Sequence, residues 1–344
     1  MITLRQAFDA VLKGRSLDAA EAASVFGEIL DDVIPDALVA GLLIALRLKG
    51  ETAAELAGGT RAMLERARPL DLGGVPLLDT AGTGGDGAGT FNISTGAALV
   101  AAAVGIPVAK HGNRAVSGRV GAADVLERCG VRLALNPAEL RACLAQAGIC
   151  CVFAPSYHPV LARLAVLRRT LGTRTAFNLM APLANPARPR YQLLGVAEPR
   201  LVRPIAEALA ALEVEHAMVV HGHDGLDEIS LAARTTVIEV RGKELATYAI
   251  APEDFGLGAA RPADLLTADA GEAMELLRCA LGGEPGAARD VLALNAGAAI
   301  YTGGGAPTLA GGVAIAREVL VAGRALETLD KLRRASQPAA EGAR

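Results

Sequence analysis

The chain contains no tryptophan, and aromatic residues make up only 3% of its 344 residues. Aromatic side chains are the platforms on which single-stranded nucleic acids stack, so the sequence offers little for base stacking. The formal net charge of −3 also provides no basic surface for a nucleic-acid backbone. With 52% hydrophobic and 21% charged residues, the composition is typical of a globular protein with a large core of alanine, leucine and valine.

Cysteine is also scarce, with five residues at spacings that fit neither a disulfide framework nor a zinc site. The adjacent Cys150 and Cys151 fall in an apolar run that predicts a buried strand. The N-terminus lacks a basic segment followed by an apolar core and a cleavage site, and no uninterrupted apolar run is long enough to span a bilayer. These absences predict a cytoplasmic protein.

Glycine, by contrast, is concentrated after the apolar run that ends at Asp79. The next segment, from Ala81 to Thr95, reads AGTGGDGAGTFNIST. Glycine lets a backbone approach a ligand closely, and Ser94 or Thr95 is expected near the N-cap of the apolar helix GAALVAAAVG. Because the N-terminus of a helix attracts phosphate, this segment predicts a phosphate-binding loop.

A second loop follows the next apolar run, and from Lys110 to Arg119 it reads KHGNRAVSGR before a helix expected from about Ala122. Three cations in ten residues indicate an anionic ligand. Neither loop fits the P-loop pattern GxxxxGK[ST]. The dinucleotide fingerprint GxGxxG fails because Asp86 stands where a helix-packing glycine is needed. The sequence therefore disfavours an ATPase and a Rossmann dehydrogenase.

Acidic residues follow a third apolar run, in the segment HDGLDEIS from His223 to Ser230. Open α/β sheets bind ligands at the carboxyl ends of their strands. On a loop, Asp227 and Glu228 can converge on a hard cation, and oxygen ligands favour Mg²⁺ held by one or two carboxylates and substrate phosphates. The segment therefore predicts a magnesium site beside the two anion-binding loops.

The pattern of apolar and capping residues divides the chain into a small all-helical lobe and a large α/β lobe with a mostly parallel sheet. Ser16 is expected to cap one early helix, and Thr52 and Glu55 form a capping box for another. The helical lobe is predicted at 1–72, completed by about 160–186, and the α/β lobe at 73–159 and 187–335, before a frayed tail at 336–344. Strands are predicted at 77–79, 108–110, 150–154 and 217–220, with more strands at about 232–250 and a closing helix at 313–331.

Together these motifs resemble the anthranilate phosphoribosyltransferases of tryptophan biosynthesis. The resemblance covers nearly the whole chain and is carried by GTGGD at 82–86, NIST at 92–95, KHGNR at 110–114 and the acidic pair at 227–228, with YHP at 157–159, LRR at 167–169, FNL at 177–179, PLANP at 182–186 and PEDF at 252–255 in matching order. It implies two lobes joined by a hinge, a homodimer formed through the helical lobes, and transfer of a phosphoribosyl group from phosphoribosyl pyrophosphate to the amine of anthranilate with Mg²⁺ present.

Residue roles also follow from this resemblance, and no covalent nucleophile is required. The implied metal ligands are Ser94, Asp227 and Glu228. The implied anthranilate-binding residues are Gly82, His111, Asn113, His158, Arg168 and Pro182. The implied donor-binding residues are Gly82, Gly85, Asp86, Thr90, Asn92, Ile93, Ser94, Thr95, Lys110, His111, Gly112, Asn113, Arg114, Ala115, Val116, Ser117, Gly118 and Ala122.

The chain departs from the family pattern at three places. Val120-Gly121-Ala122 replaces the usual Ser-Gly-Ser, Ala181 replaces a common glycine before Pro182, and Ala81 replaces a larger aliphatic residue. These differences leave a related aromatic amine open as the acceptor. Pyrimidine nucleoside phosphorylases share the two-lobed fold but lack KHGNR and the acidic pair. A non-catalytic relative that binds nucleic acid should have a basic surface and degraded loops.

Overall fold

Four helices precede the first strand of the computed structural model, which describes residues 2–31, 34–115 and 120–338. They are α1 (Leu4–Leu12), α2 (Ala19–Leu30), α3 (Asp36–Lys49) and α4 (Ala53–Glu65). The predicted capping box of α4 is confirmed, because the Thr52 side chain accepts from the N–H of Glu55 at 3.3 Å. The predicted cap of α2 is wrong, since Asp18 rather than Ser16 caps it and accepts from the N–H of Glu21 at 2.8 Å.

A seven-stranded sheet forms the centre of the α/β lobe. Its strands are β1 (Leu78–Gly82), β2 (Val108–Gly112), β3 (Ile149–Phe153), β4 (Tyr191–Gly195), β5 (His216–Gly222), β6 (Thr235–Arg241) and β7 (Glu244–Ile250), in the order β3-β2-β1-β4-β5-β6-β7. Strands β1–β5 pair in parallel, and β6 pairs antiparallel with both β5 and β7. The prediction of a mostly parallel sheet is therefore confirmed, although β4 was missing from the predicted strands.

Helices cover both faces of this sheet. The helices that follow β1 along the chain are α5 (Ile93–Ala103), α6 (Ala122–Arg128), α7 (Pro137–Ala147), α8 (Ala154–Tyr157), α9 (Leu161–Leu171), α10 (Ala176–Met180), α11 (Val202–Ala211), α12 (Ala270–Leu281), α13 (Ala287–Thr302), α14 (Leu309–Val321) and α15 (Arg324–Ala335). Short 3₁₀ turns occupy Ala181–Leu183, Pro199–Leu201, Pro252–Phe255 and Pro262–Leu265. The single closing helix predicted at 313–331 is wrong, because Gly323 adopts a left-handed conformation between α14 and α15.

The segment between α8 and β4 packs against the first four helices. Buried residues of α9 and α10, including Leu164 and Phe177, share one hydrophobic cluster with α1–α4, and Phe177 contacts Phe26 of α2 edge to face at 5.5 Å. We call α1–α4, α9 and α10 the helical lobe. The same cluster continues through α11 to one face of the sheet.

Alternation along the strands separates the two sides of the sheet. Leu194 of β4 and Val219 of β5 pack towards α11 and the helical lobe, whereas Leu193 and Met218 pack into a second cluster with α5 and α12–α15. Neighbouring residues of a strand point to opposite faces, so each strand contributes to both cores. Glycine and acidic residues at the strand ends are then left to form the crevice.

The first residues of the predicted frayed tail are held by hydrogen bonds, and 339–344 lie outside the described residues. Ser336 is fully buried, and its hydroxyl accepts from the N–H of Arg132 at 3.0 Å. Gln337 donates its side-chain amide to the carbonyl of Gly130 at 2.8 Å. The prediction that fraying begins at 336 is wrong, because these contacts tie the end of α15 to the loop before α7. No helix in the described ranges is both long enough and apolar enough to cross a membrane.

Candidate functional site

The candidate site lies where β1 and β4 end side by side. Gly82 and Gly195 are paired at the ends of these strands, and Asp227 packs against both. A Cβ atom would lie 2.4 Å from Asp227 Oδ2 if added to Gly82 and 1.5 Å from the Asp227 carbonyl oxygen if added to Gly195. Neither strand can therefore end in a larger residue without displacing the acidic loop.

The glycine-rich loop after β1 is held on one side and open on the other. Gly84 and Gly85 both have positive φ, at 64° and 83°, and the N–H of Gly84 donates to Asp227 Oδ2 at 2.6 Å. The N–H groups of Gly85, Asp86 and Gly87 donate no hydrogen bond to another described residue. Consecutive free N–H groups in such a loop form an anion-binding surface.

Helix α5 begins beside this loop. Its N-cap is Asn92, so Ser94 and Thr95 lie close behind the N-cap, as predicted. The N–H of Ser94 donates to Glu228 Oε1 at 3.1 Å. Lys110 of β2 donates to the Thr80 carbonyl at 2.7 Å and to Ser94 Oγ at 3.3 Å. The structure thus brings together the hydroxyl, the lysine and the acidic pair that the sequence predicted for one site.

The acidic pair is buried, with side chains that are only 9% and 8% exposed for Asp227 and Glu228. Burial, followed by repulsion from Asp86, raises the pKa of Asp227 to about 8. Burial, followed by repulsion from Asp227, raises the pKa of Glu228 well above its ordinary value. In the described ranges no group of three or more His, Cys, Asp or Glu side chains could hold a metal ion. A cation here would need further oxygen ligands from a substrate.

Only part of the second predicted loop joins this cluster. Lys110, His111 and Gly112 belong to β2, whereas Asn113, Arg114 and Ala115 are exposed. Arg114 pairs with Glu127 at 2.7 Å and lies 4.9 Å over the ring of Phe153. Ala122 begins α6. The predicted donor residues Val116, Ser117 and Gly118 lie outside the described residues.

A second polar cluster lies at the neighbouring strand end. The rings of His111 and His158 are 5.6 Å apart, and His158 Nε2 donates to the Ala184 carbonyl at 2.8 Å. Burial, followed by the proximity of His158, lowers the pKa of His111 to about 3, although a hydrogen bond with the backbone of Ala181 opposes this. Burial also lowers the pKa of His158. Both rings are therefore neutral near pH 7.

Buried Asp79 joins this second cluster to the sheet. Its carboxylate accepts from the N–H of His111 at 3.1 Å and from the Asn185 side chain at 2.8 Å. Asn185 also donates to the Ala109 carbonyl at 2.8 Å, and Gln192 of β4 donates to the Pro182 carbonyl at 3.2 Å. These bonds fix the PLANP segment, which carries Pro182, against the ends of β1, β2 and β4.

Arg168 lies apart from these networks, in the last turn of α9. Its side chain makes no hydrogen bond or ion pair with a described residue, and burial lowers the pKa of its guanidinium. A half-buried guanidinium without a carboxylate partner is suited to an anionic ligand.

Several site residues also carry buried polar atoms that have no partner among the described residues. They are Asn92 Oδ1, Thr95 Oγ1, His111 Nε2 and His158 Nδ1. Buried polar atoms are nearly always hydrogen-bonded, so their concentration at these positions indicates a place for a polar ligand. Thr90 lies at the edge of the loop, in an isolated bridge with Leu266.

Two residues that sequence reasoning did not assign also hold the site. Arg174, in the turn between α9 and α10, donates to the carbonyl oxygens of Thr83, at 2.7 Å, and Gly84. Asn295 of α13 is fully buried and exchanges two hydrogen bonds of 2.9 Å with the backbone of Ile229, next to the acidic pair. Neither residue stands in a motif that would have revealed it, because its partners are distant along the chain.

Comparison with known proteins gives matches across both lobes. The glycosyl transferase family helical bundle domain matches residues 5–67, and the glycosyl transferase family a/b domain matches residues 74–326. The chain is 47% identical to an anthranilate phosphoribosyltransferase from Thermomicrobium roseum over 335 residues, which cover 96% of each protein.

Solved structures with the same fold are also similar in sequence. The anthranilate phosphoribosyltransferase (TrpD) of Thermus thermophilus has a TM-score of 0.91 and 42% identity, over 96% of this chain and 99% of that one. The Saccharomyces cerevisiae anthranilate phosphoribosyltransferase in complex with PRPP and Mg has a TM-score of 0.87 and 25% identity, over 97% of both chains.

Proposed function

The chain belongs to the anthranilate phosphoribosyltransferases, and on that premise we propose which of its residues bind each substrate. The resemblance inferred from the motifs is confirmed by the family and full-length matches. The protein transfers the phosphoribosyl group of phosphoribosyl pyrophosphate to the amine of anthranilate, which gives N-(5-phosphoribosyl)anthranilate and pyrophosphate in tryptophan biosynthesis. The observation that carries our assignment is the meeting of the GTGGD loop, the N-terminus of α5 and the acidic pair in one crevice.

We assign the phosphoribosyl donor to this crevice. The free N–H groups of the glycine-rich loop and the N-terminus of α5 suit its phosphate groups, and Lys110 adds a positive charge beneath them. The described residues of the proposed donor site are Gly82, Gly85, Asp86, Thr90, Asn92, Ile93, Ser94, Thr95, Lys110, His111, Gly112, Asn113, Arg114, Ala115 and Ala122. The exposed Arg114 would have to leave Glu127 to reach the donor.

Magnesium fits the acidic pair. Two buried carboxylates that repel each other gain from a divalent cation, and oxygen ligands are those that Mg²⁺ prefers. We propose that Asp227, Glu228 and Ser94 hold it together with donor phosphates. Bound Mg²⁺ would offset the charge that pyrophosphate gains as it leaves. The residues themselves keep the carboxylates oriented through the N–H groups of Gly84 and Ser94.

Anthranilate is assigned to the histidine side of the site. We propose that Arg168 pairs with its carboxylate, and that Asn113, His111, His158, Pro182 and Gly82 surround it. With a pKa of about 3, His111 is too weak a base to take a proton near neutral pH, so we assign it a positioning role. Catalysis then depends on holding the amine close to the ribose C1 and on stabilising the leaving group, without a covalent nucleophile.

Assembly as a homodimer through the helical lobe is part of the proposal. Leu12 of α1, Leu48 of α3 and Val166 of α9 are 62%, 82% and 64% exposed, and these helices pack side by side because α3 contacts both of the others. Large exposed aliphatic side chains on adjoining helices support an interface. We also propose a cytoplasmic location, which the free thiols of all five cysteines support.

Anthranilate fluorescence tests the assignment of the acidic pair. With phosphoribosyl pyrophosphate and Mg²⁺, the wild-type protein should consume anthranilate, and an Asp227→Asn, Glu228→Gln variant should lose at least about a hundredfold in rate. The control variant Glu253→Gln alters an exposed carboxylate and should retain the wild-type rate. Metal-dependent turnover by the double variant at the wild-type rate would contradict the proposed magnesium site.

A further inference from the structure

Arg174 connects the helical lobe to the glycine-rich loop of the α/β lobe. It lies in the turn after α9, the helix that carries Arg168, and just before Thr175, the N-cap of α10. Its Nη2 donates to the Thr83 carbonyl at 2.7 Å and its Nη1 donates to the Gly84 carbonyl. One side chain therefore holds two successive peptide groups of the proposed donor loop.

These two bonds fix the orientation of two successive peptide groups of the loop, Thr83–Gly84 and Gly84–Gly85. The carbonyl and the N–H of a trans peptide point in opposite directions. Since the Gly84 carbonyl faces Arg174, the N–H of Gly85, in the same peptide group, faces away from it. That N–H donates to no other described residue, and it begins the free run from Gly85 to Gly87.

The other side of the loop is fixed by the acidic segment. Within the Thr83–Gly84 peptide, the carbonyl accepts from Arg174 and the N–H donates to Asp227 at 2.6 Å. A Cβ atom on Gly85 would lie 1.8 Å from Arg174 Nη1. The loop is thus held between an arginine from the helical lobe and a proposed metal ligand, and the packing of Arg174 leaves room only for glycine at position 85.

We propose that Arg174 is a positioning residue for the phosphoribosyl donor, which presents the Gly85–Gly87 N–H groups to it by holding the Thr83 and Gly84 carbonyls. The proposal rests on the donor site assigned above. Arg174 does not touch the reacting atoms. Its loss acts through the loop, so it weakens donor binding and leaves the chemical step intact once the donor is bound.

Calorimetric titration of phosphoribosyl pyrophosphate with Mg²⁺, together with steady-state kinetics, tests this role. Arg174→Met should raise the donor Kd and KM by about ten- to a hundredfold, as expected when charge-assisted hydrogen bonds that order the loop are lost. At saturating donor, kcat and the anthranilate KM should remain within about twofold of wild type. Arg174→Lys, which can donate to one carbonyl at a time, should recover part of the affinity.

Arg169→Met is the matched control, because the Arg169 side chain is exposed in the same segment and makes no hydrogen bond or ion pair with a described residue. It should bind the donor like wild type. An unchanged donor Kd in Arg174→Met would overturn the proposal, and so would a fall in kcat with no change in the donor KM. If Arg174→Met does not fold, an unchanged donor Kd in Arg174→Lys would overturn it as well. Failure of the wild-type protein to bind the donor would instead count against the donor site itself.

Discussion

At the scale of single residues, the positions that exclude a side chain shape the site as much as the groups that bind. Gly82 has ordinary backbone angles, so conformational freedom does not explain its glycine. The glycine is explained by the Asp227 carboxylate, which occupies the space that a side chain at position 82 would fill. The same acidic residue excludes a side chain at Gly195. Two strand ends and one loop are therefore specified by mutual packing around a single buried residue, through its carboxylate at Gly82 and its backbone carbonyl at Gly195.

The buried carboxyl of Asp79 leads to a prediction about pH and stability. Burial raises its pKa from 3.8 to about 6, although Lys110 and three hydrogen bonds oppose the shift. A carboxyl with a raised pKa in the folded state stabilises the fold below its unfolded pKa, and this contribution is lost as pH rises through the folded pKa. Between pH 4 and 6, wild type should lose about 2 kcal/mol of stability relative to Asp79→Asn.

Urea unfolding of both proteins at several pH values measures this difference. Asn cannot ionise, so the difference between the two curves isolates the titration of Asp79 from that of other groups. Asn at this position also faces the donor amide of Asn185, which should destabilise the variant by about 1–3 kcal/mol at every pH. Curves that stay parallel from pH 4 to 7 would show that the Asp79 carboxyl titrates alike in the folded and unfolded chain.

The sequence predicted the residues whose chemistry lies within one short motif, and it missed those whose role depends on distant partners. The GTGGD loop and the acidic pair were predicted because glycine and carboxylate side chains cluster locally. Arg174 bonds to carbonyls about ninety residues away along the chain. Asn295 bonds to a backbone 66 residues away. No periodicity or spacing in a single sequence indicates such pairs before the fold is known.

At the scale of elements, the prediction was most accurate where local signals agree. The Thr52–Glu55 capping box marked the start of α4, and apolar runs marked four of the parallel strands. Strand β4 was missed because YQLLG is short and begins with two residues that carry polar groups. It also follows a proline-rich stretch that predicts an interruption of regular secondary structure. The helix predicted at 313–331 divides in two because left-handed Gly323 stops α14, although the apolar pattern continues.

The contact between α13 and α14 supports a second prediction. A Cβ atom on Gly297 would lie 2.5 Å from the backbone nitrogen of Val313, and one on Gly312 would lie 2.2 Å from the Gly297 carbonyl. Gly297→Ala should gain about 1 kcal/mol in helix propensity. Overpacking costs about 1–3 kcal/mol, and more where backbone atoms must move. The cost of the steric clash should therefore exceed the gain in helix propensity. We expect a net loss of about 2 kcal/mol.

The urea midpoint at constant slope measures that loss. Gly311→Ala, also in α14, is the control, because the nearest atom to its added Cβ is the Thr308 hydroxyl at 3.2 Å. This variant should be neutral or slightly more stable than wild type. If Gly297→Ala were as stable as Gly311→Ala, α13 and α14 could shift apart to fit the added methyl group without loss of stability. Close packing would then not require glycine at this contact.

At the scale of the whole molecule, the two lobes meet through segments that are far apart in sequence. The turn that follows α9 reaches the donor loop through Arg174, and the core of the helical lobe continues through α11 to the sheet. Apolar patterning alone predicted that residues near 160–186 return to the first lobe. On α3, Leu42, Leu43 and Leu46 are fully buried, whereas Leu48 is 82% exposed.

This exposure pattern gives a sharp prediction about assembly. Leu48 on α3 is 82% exposed in the helical lobe, and Val321 on α14 is 68% exposed in the α/β lobe. If the helical lobes form the dimer, light scattering should give wild type twice the 35.1 kDa of one chain. Leu48→Glu should shift the mass towards one chain, because a buried charge without a partner is costly at an interface. Val321→Glu introduces the same charge elsewhere and should remain dimeric. A monomeric Val321→Glu variant and a dimeric Leu48→Glu variant would instead indicate an interface on the α/β lobe.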